Sequence, residues 1–267
     1  MSTLTSTTST TRPTLGTGDV GKSYFETDSK KLLVWDGTGW NEWNKDSTIT
    51  PGFNNNYSAY FDATGDYGRL SAPISLSGAF TISGWFRCDN SSPSAMVLLG
   101  EISGGDIVLY MNGSNLSMQG FGGTQTTSGV TIARDGTTWY HFAVIRDSSN
   151  NIDIYIDGTS RRSVTNKTAT VSLEYFGGDF PTYPGQIWNG YIDDVALWFS
   201  DQTSNLSSIY DSSLGTPDDL STLSPDHWWR MGDSDGGAGS TITDVGYGSS
   251  LKDLTLTNAV ISTTVPS

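Results

Sequence analysis

The stretch Phe80-Thr-Ile-Ser-Gly-Trp-Phe86 decides the fold class of the chain. Phe80, Ile82 and Phe86 stand at alternating positions, and successive side chains of a strand point to opposite faces. A period of two predicts a β-strand with one strongly apolar face, whereas a helix would show a period of about 3.6. Such a strand needs a second layer to cover its apolar face, so the segment predicts a sheet packed on a core.

The pattern continues outward from this strand, with turn signals roughly every ten residues. Two hairpins are predicted, one at Asn112-Gly113 and one at residues 147–151. Further strands are predicted at residues 191–199 and 227–231, and a single helix at residues 203–214. Regular short strands with almost no helix are typical of an antiparallel β-sandwich or barrel.

The composition supports an all-β class and excludes several others. The 267 residues include 24 Asp, only four Glu and 31 Gly, and Asp and Gly favour turns whereas Glu favours helices. A net charge of −14 argues against binding to nucleic acid or to an anionic membrane surface, because phosphate groups need clustered Lys and Arg. The single cysteine, Cys88, excludes a disulfide framework, and no apolar stretch approaches the roughly 20 residues of a membrane span.

The first 46 residues differ from the rest of the chain. Residues 1–18 form a Ser/Thr-rich arm that cannot build a core alone, so we expect an extended segment. Residues 19–46 predict a small β-meander that contains Trp35 and Trp40 and must pack on another surface to be stable. Residues 47–267 are predicted to form the sandwich.

Five segments resemble, in order, the concanavalin A-like, laminin G-like jelly roll that is also found in pentraxins. They are Tyr60-Phe-Asp-Ala-Thr-Gly-Asp-Tyr67, Phe80-Thr-Ile-Ser-Gly-Trp-Phe86, Trp139-Tyr-His-Phe-Ala-Val-Ile-Arg146, Ile154-Tyr-Ile-Asp-Gly158 and Gly190-Tyr-Ile-Asp-Asp-Val-Ala-Leu-Trp198. The resemblance covers about residues 57–210 and implies an antiparallel jelly-roll sandwich. It says little about a ligand.

Two further stretches resemble surface proteins of tailed-phage virions. Residues 18–40 are similar to a module near the start of phage fibre and head-decoration proteins, and residues 228–245 to the ends of laminin G-like phage proteins. The resemblance implies a non-enzymatic virion structural protein, expected to be a capsid decoration or head-fibre-like subunit that projects the sandwich outward, with a location on the tail as the alternative. Residues 1–46 would attach it to a major capsid or tail protein, and copies would associate as a homo-oligomer, expected to be a trimer. The alternative is a glycan-binding adhesin, a tail fibre or a lectin-type module, that contacts a host surface glycan through the loops of the sandwich.

Catalysis is not expected. Retaining glycosidases place two carboxyl groups about 5 Å apart, and no two of the four Glu lie close enough on the chain to share one strand. His141, between Tyr140 and Phe142 in a predicted strand, is interpreted as a packed residue. Cys88 has no obvious base near it in the sequence and is interpreted as inert.

No cofactor is expected, and calcium is the one metal ion left open. Carboxylate oxygens suit calcium, and the nearest candidates are Asp62 with Asp66 and Asp193 with Asp194. In Asp193-Asp194 the side chains should point to opposite faces, one in a turn and the other in solvent.

Four aromatic residues are predicted to contact a ligand or a partner. They are Phe180 and Tyr183, in the loop Phe180-Pro-Thr-Tyr-Pro-Gly185, together with Trp35 and Trp40 of the meander. Of the adjacent pair Trp228-Trp229, one should lie in the core and the other on the opposite face.

Overall fold

The structure is a computed structural model. It describes residues 5–8, 10–11, 13–16, 22–28, 31–35, 40–43, 53–62, 65–89, 95–101, 108–121, 123–178 and 186–266. The chain divides into two compact units, Met1–Phe53 and Asn54–Ser267. In the described part of the chain, no helix is both long enough and apolar enough to cross a membrane.

The first unit contains a four-stranded sheet. Its spatial order is β1 (Thr5–Thr7), β2 (Ser23–Glu26), β3 (Lys31–Trp35) and β4 (Trp40–Trp43). The three strands β2 to β4 form the predicted antiparallel meander. β1 pairs with β2 in parallel, so the segment predicted to be an arm contributes a strand to this sheet.

The second unit is a sandwich of two antiparallel sheets, as the sequence predicts. The first sheet has the spatial order β11 (Gly123–Thr131), β10 (Asn115–Gly120), β9 (Leu109–Asn112), β8 (Ala95–Gly100), β15 (Val171–Phe176), β6 (Tyr67–Leu76), β19 (Leu254–Thr257) and β18 (Thr241–Ile242). The second has the order β14 (Thr159–Val164), β13 (Ile152–Ile156), β12 (Trp139–Arg146), β7 (Phe80–Cys88), β16 (Gly190–Trp198), β5 (Ser58–Phe61) and β20 (Val260–Ser262), with β17 (His227–Trp229) paired to β16.

The core lies between the two sheets and is built from the alternating apolar residues. Phe80, Ile82 and Phe86 of β7 are fully buried in it, which confirms the strand from which the fold was predicted. The predicted tight hairpin joins β9 to β10, but Asn112 pairs with Asn115. The turn therefore lies one residue later than predicted.

The predicted helix at residues 203–214 is wrong in length. A 3-10 helix at Thr203–Asn205 leads into α1, which spans only Leu206–Ile209. Tyr210 is already extended, with φ −134° and ψ 104°. The carboxylate of Asp211 then accepts hydrogen bonds from the backbone nitrogen of Ser213 at 2.7 Å and from its hydroxyl at 2.6 Å. This local turn competes with the helix and ends it. Two further 3-10 helices span Leu220–Leu223 and Asp233–Asp235.

Candidate binding surface

A row of five side chains crosses the outer face of the second sheet. Direct cross-strand pairs join Val260 of β20 to Tyr60 of β5, Tyr60 to Tyr191 of β16, Tyr191 to Arg87 of β7, and Arg87 to Trp139 of β12. Directly paired residues of antiparallel strands project from the same face of a sheet. We call these five residues the outer row.

The rings of the outer row are held against one another. The Tyr60 and Tyr191 rings stack with centroids 4.4 Å apart, and the Trp139 ring lies 5.9 Å from that of Tyr191. Arg87 Cζ lies 4.1 Å from the centroid of Tyr191 and 5.7 Å from that of Trp139, within the range of cation–π attraction. The three aromatic residues are partly exposed, and Val260 is 54% exposed. The row is therefore a pre-organised aromatic surface in contact with solvent.

An ion pair neutralises the cation of the outer row. Arg87 Nε donates to Asp89 Oδ1 at 2.9 Å, and Arg87 Nη2 lies 3.4 Å from Asp89 Oδ2. The pKa of Tyr60 is raised by burial and then by the negative charge of Asp62, the neighbouring Tyr191 and Asp89, against a smaller lowering by Arg87. The electrostatic field at this end of the row is therefore net negative.

The next row on the same face is covered instead. Asp193 pairs with Trp85, which pairs with His141. The Tyr210 ring stacks 4.9 Å from His141 and lies 5.6 Å from Trp85. His141 is 1% exposed, and burial lowers its pKa to about 3, so the ring is neutral at physiological pH. This supports its interpretation as a packed residue.

Asp193 and Asp194 lie in a gap where β16 changes partner from β5 to β17. A β-bulge begins at Asp193, and Asp194 has φ +46°. Both side chains are buried, so the expectation that one is solvated is wrong. Asp193 Oδ2 accepts from Asn55 Nδ2 at 2.9 Å, and Asp194 Oδ1 accepts from Trp228 Nε1 at 2.7 Å. Burial is the largest cause that raises the pKa of both, to about 7 for Asp194.

Asp62 and Asp66, the other predicted calcium pair, lie at a turn. Asp66 is buried, and its Oδ2 accepts from the backbone nitrogen of Asp62 at 2.9 Å. The Asp62 side chain is exposed, two residues beyond Tyr60 of the outer row. Among the described residues, no group of three His, Cys, Asp or Glu side chains is arranged to hold a metal ion. Calcium binding by these aspartates stays a prediction.

Two of the four predicted contact residues, Trp35 and Trp40, lie in the described part of the first unit. Trp35 and Trp40 pair across β3 and β4, with ring centroids 5.4 Å apart. Their indole nitrogens donate to the carbonyl oxygens of Gly16 at 2.9 Å and Pro13 at 3.3 Å, so both indoles bind the chain's own N-terminal segment. Phe180 and Tyr183 lie outside the described residues.

Other chemically reactive side chains have structural contacts. Burial raises the pKa of the Cys88 thiol to about 12, which keeps it protonated and unreactive. Glu101 Oε2 accepts from the backbone nitrogen of Ser172 at 2.9 Å, and Glu174 pairs with Arg69 at 2.8 Å. His227 Nδ1 lies 2.6 Å from Asp244 Oδ2 in a buried pair.

Among the described residues, open cavities also occur away from the outer row. One, of about 390 Å³, lies between the turn after β13 and the segment around α1; its lining includes Asp157, Thr159 and Tyr210. Another, of about 380 Å³, lies on the first sheet; its lining includes Tyr67 and Arg69.

A family model places the sandwich among known proteins. The model described as the concanavalin A-like lectin/glucanases superfamily, a laminin G-type family, matches residues 62–204, which is more than half of the chain. The chain belongs to this superfamily. Of the outer row, the matched segment contains Arg87, Trp139 and Tyr191.

Several solved structures have a related fold, and one of them aligns with most of this chain. A putative carbohydrate binding protein from Bacteroides ovatus is 16% identical with a TM-score of 0.61, over 91% of this chain and 70% of that one. A heptameric SAP-like pentraxin from Limulus polyphemus is 12% identical with a TM-score of 0.44, over 58% and 82% of the two chains. Mouse laminin alpha1 domains LG4-5 are 15% identical with a TM-score of 0.43, over 62% and 48%. At 16% identity and a TM-score of 0.61, the Bacteroides ovatus protein shares the fold of this chain, and nothing beyond the fold follows from that likeness. No curated protein sequence matches the chain.

Sequence reasoning missed the outer row of this superfamily member. Tyr60, Trp139 and Tyr191 all occur in the segments that predict the fold, where each could have been assigned to the core. Alternation alone could have placed Arg87 and Trp85 opposite the apolar face of β7. The cross-strand register that aligns the row depends on strand order, which no local pattern contains.

Proposed function

We propose that this superfamily member is a non-enzymatic glycan-binding protein and that the outer row is its saccharide-binding surface. The outer row is the observation that carries the proposal. A sugar ring has an apolar face of C–H groups and a rim of hydroxyl groups, so it is complementary to flat aromatic rings beside a paired donor and acceptor. Tyr60, Tyr191 and Trp139 supply the rings, and Arg87 with Asp89 supplies the polar pair.

Pre-organisation supports binding at this surface. The rings already contact one another and the guanidinium group, so little side-chain freedom remains to be lost when a ligand binds. The shared fold with a putative carbohydrate binding protein agrees with the proposal without carrying it. The structural contacts of Glu101 and Glu174, together with the buried, protonated thiol of Cys88, agree with a role without catalysis.

Substituting Tyr191 by Ala is expected to weaken saccharide binding at least tenfold, because Tyr191 lies between Tyr60 and Arg87 and removing its ring opens the middle of the row. Affinity electrophoresis in gels that contain laminarin, galactomannan or dextran measures the change. Tyr247→Ala is the matched control, since Tyr247 lies outside the row with 58% of its surface exposed. This variant should bind as the unmodified protein does. Unchanged retention of Tyr191→Ala, or no retention of the unmodified protein by any polysaccharide, neutral or acidic, would overturn the proposal.

We further propose that the protein is carried on the surface of a tailed-phage virion, attached by residues 1–46 to a major capsid or tail protein. The separate compact unit at Met1–Phe53 and the resemblance of residues 18–40 to a phage module favour this second role. A trimer would display several outer rows together and increase avidity for a host glycan.

Quantitative mass spectrometry of purified particles tests the virion role by giving the copy number relative to the major capsid protein. Hundreds of copies per particle are expected for a capsid decoration protein, and a few dozen for a fibre on the tail or a vertex. Deleting residues 1–46 should remove the protein from particles while leaving the sandwich folded. Absence of the full-length protein from particles would refute the virion role.

A further inference from the structure

Arg87 lies between Tyr191 and Trp139 in the outer row, but its charge is already paired with that of Asp89. Its Nε and Nη2 atoms both face the carboxylate of Asp89, at 2.9 and 3.4 Å. The two side chains are 13% and 20% exposed, so a ligand can reach the pair while much of it is shielded from water. An ion pair that is partly shielded is screened less by salt than one on an open surface.

The charges around the row do not favour an anionic ligand. Asp62 and Asp89 flank the row with two carboxylates, against the one guanidinium group of Arg87. Burial is the largest cause of the raised pKa of Tyr60, and the negative charges of Asp62 and Asp89 raise it further against the smaller lowering by Arg87. The protein as a whole carries a net charge of −14, which adds a weaker repulsion at long range.

We propose that the Arg87–Asp89 pair makes the outer row select uncharged saccharides over acidic ones, with Asp89 as the residue that determines this specificity. The inference rests on the proposed function and adds the chemical class of the ligand. Neutral hydroxyl groups can accept from the remaining N–H groups of Arg87 and donate to Asp89 without breaking the pair. A carboxylate or sulfate group could accept from the same N–H groups, but it would place a second negative charge beside Asp89 and would also meet the negative charge of Asp62.

Removing the negative charge of Asp89 tests this assignment. The probes are the neutral polysaccharide that the unmodified protein retains and the same polymer with its primary hydroxyl groups oxidised to carboxylates. We expect the unmodified protein to bind the neutral polymer at least tenfold more tightly at low salt. Asp89→Asn frees the Arg87 charge and should reduce that preference to threefold or less.

Two further variants keep the test decisive. Asp62→Asn removes an exposed charge with little risk to folding. It should partly reduce the preference for the neutral polymer over the oxidised one. Asp153→Asn removes the same charge elsewhere on the second sheet and should leave the preference unchanged. The inference is wrong if the unmodified protein binds both polymers equally or prefers the acidic one, or if folded Asp89→Asn and Asp62→Asn keep the full preference. Failure of the proposed function looks different, because then neither polymer is retained or Tyr191→Ala has no effect.

Discussion

Replacing Arg146 by Ala is expected to lower the free energy of unfolding by about 3–5 kcal/mol, because it removes a buried cation on which several groups depend. Arg146 is fully buried at the end of β12. Its guanidinium group donates to four carbonyl oxygens, those of Leu76, Gly78, Lys167 and Ala169. Leu76 belongs to the first sheet, so this one side chain links the two layers of the sandwich.

Aromatic contacts add to the contribution of Arg146. Its Cζ atom lies 5.1 Å from the ring centroid of Phe80 and 5.7 Å from that of Phe121. Arg146→Lys keeps a charge but loses the planar group that reaches several carbonyls at once. Its free energy of unfolding should therefore fall by less than that of Arg146→Ala, yet by well above about 1 kcal/mol. Urea unfolding followed by tryptophan fluorescence measures both variants.

Arg162→Ala is the matched control for this prediction. Arg162 lies on β14 with an exposed side chain, and its removal should change the free energy of unfolding by no more than about 0.5 kcal/mol. An Arg146→Ala protein as stable as the Arg162→Ala protein would show that the buried hydrogen bonds contribute little net stability.

The sequence predicts the sandwich because its strands are marked locally. Alternation marks β7, and a loop of Asp, Ser and Asn marks the hairpin between β12 and β13. Asp147 Oδ1 accepts hydrogen bonds from the backbone nitrogens of Ser149 and Asn151, both at 2.8 Å. Such a turn is typical of Asp, which explains why that loop was predictable. The helix prediction fails because a similar Asp turn was not recognised. The apolar spacing favours a helix to residue 214, but Asp211 accepts from the backbone nitrogen of Ser213 and forms a turn there.

The candidate site depends on pairing between strands that are distant in the sequence, so it was harder to predict from the sequence than the fold. The outer row exists because β5, β16, β7 and β12 are neighbours in space although they are distant in the sequence. The burial of Asp193 and Asp194 likewise follows from the gap between β5 and β17 along β16. A one-residue shift in any of these pairings would send the aromatic rings to the opposite face.

Replacing Gly190 by Ala should cost at least about 3 kcal/mol of stability and should also weaken the outer row. Gly190 precedes Tyr191 and has φ +138°, a conformation that residues with a Cβ rarely adopt. A Cβ added there would lie 1.9 Å from the carbonyl oxygen of Arg87. That oxygen belongs to the backbone of β7, so the overlap can be relieved only by moving β16 away from β7, which would separate Tyr191 from Arg87.

Gly113→Ala is the control for Gly190→Ala, because it adds a Cβ at a positive φ without steric overlap. Gly113 has φ +58°, and a Cβ added there meets nothing within 4 Å, so the variant should lose only about 1–2 kcal/mol for its backbone conformation. Urea unfolding compares the two variants, and affinity electrophoresis compares their binding once each is corrected for its folded fraction. Gly190→Ala should then bind more weakly than Gly113→Ala, because the close approach of β16 to β7 holds the ring of Tyr191 over Arg87. Equal stability losses would mean that the overlap is relieved without separating the strands, and the row should then bind normally.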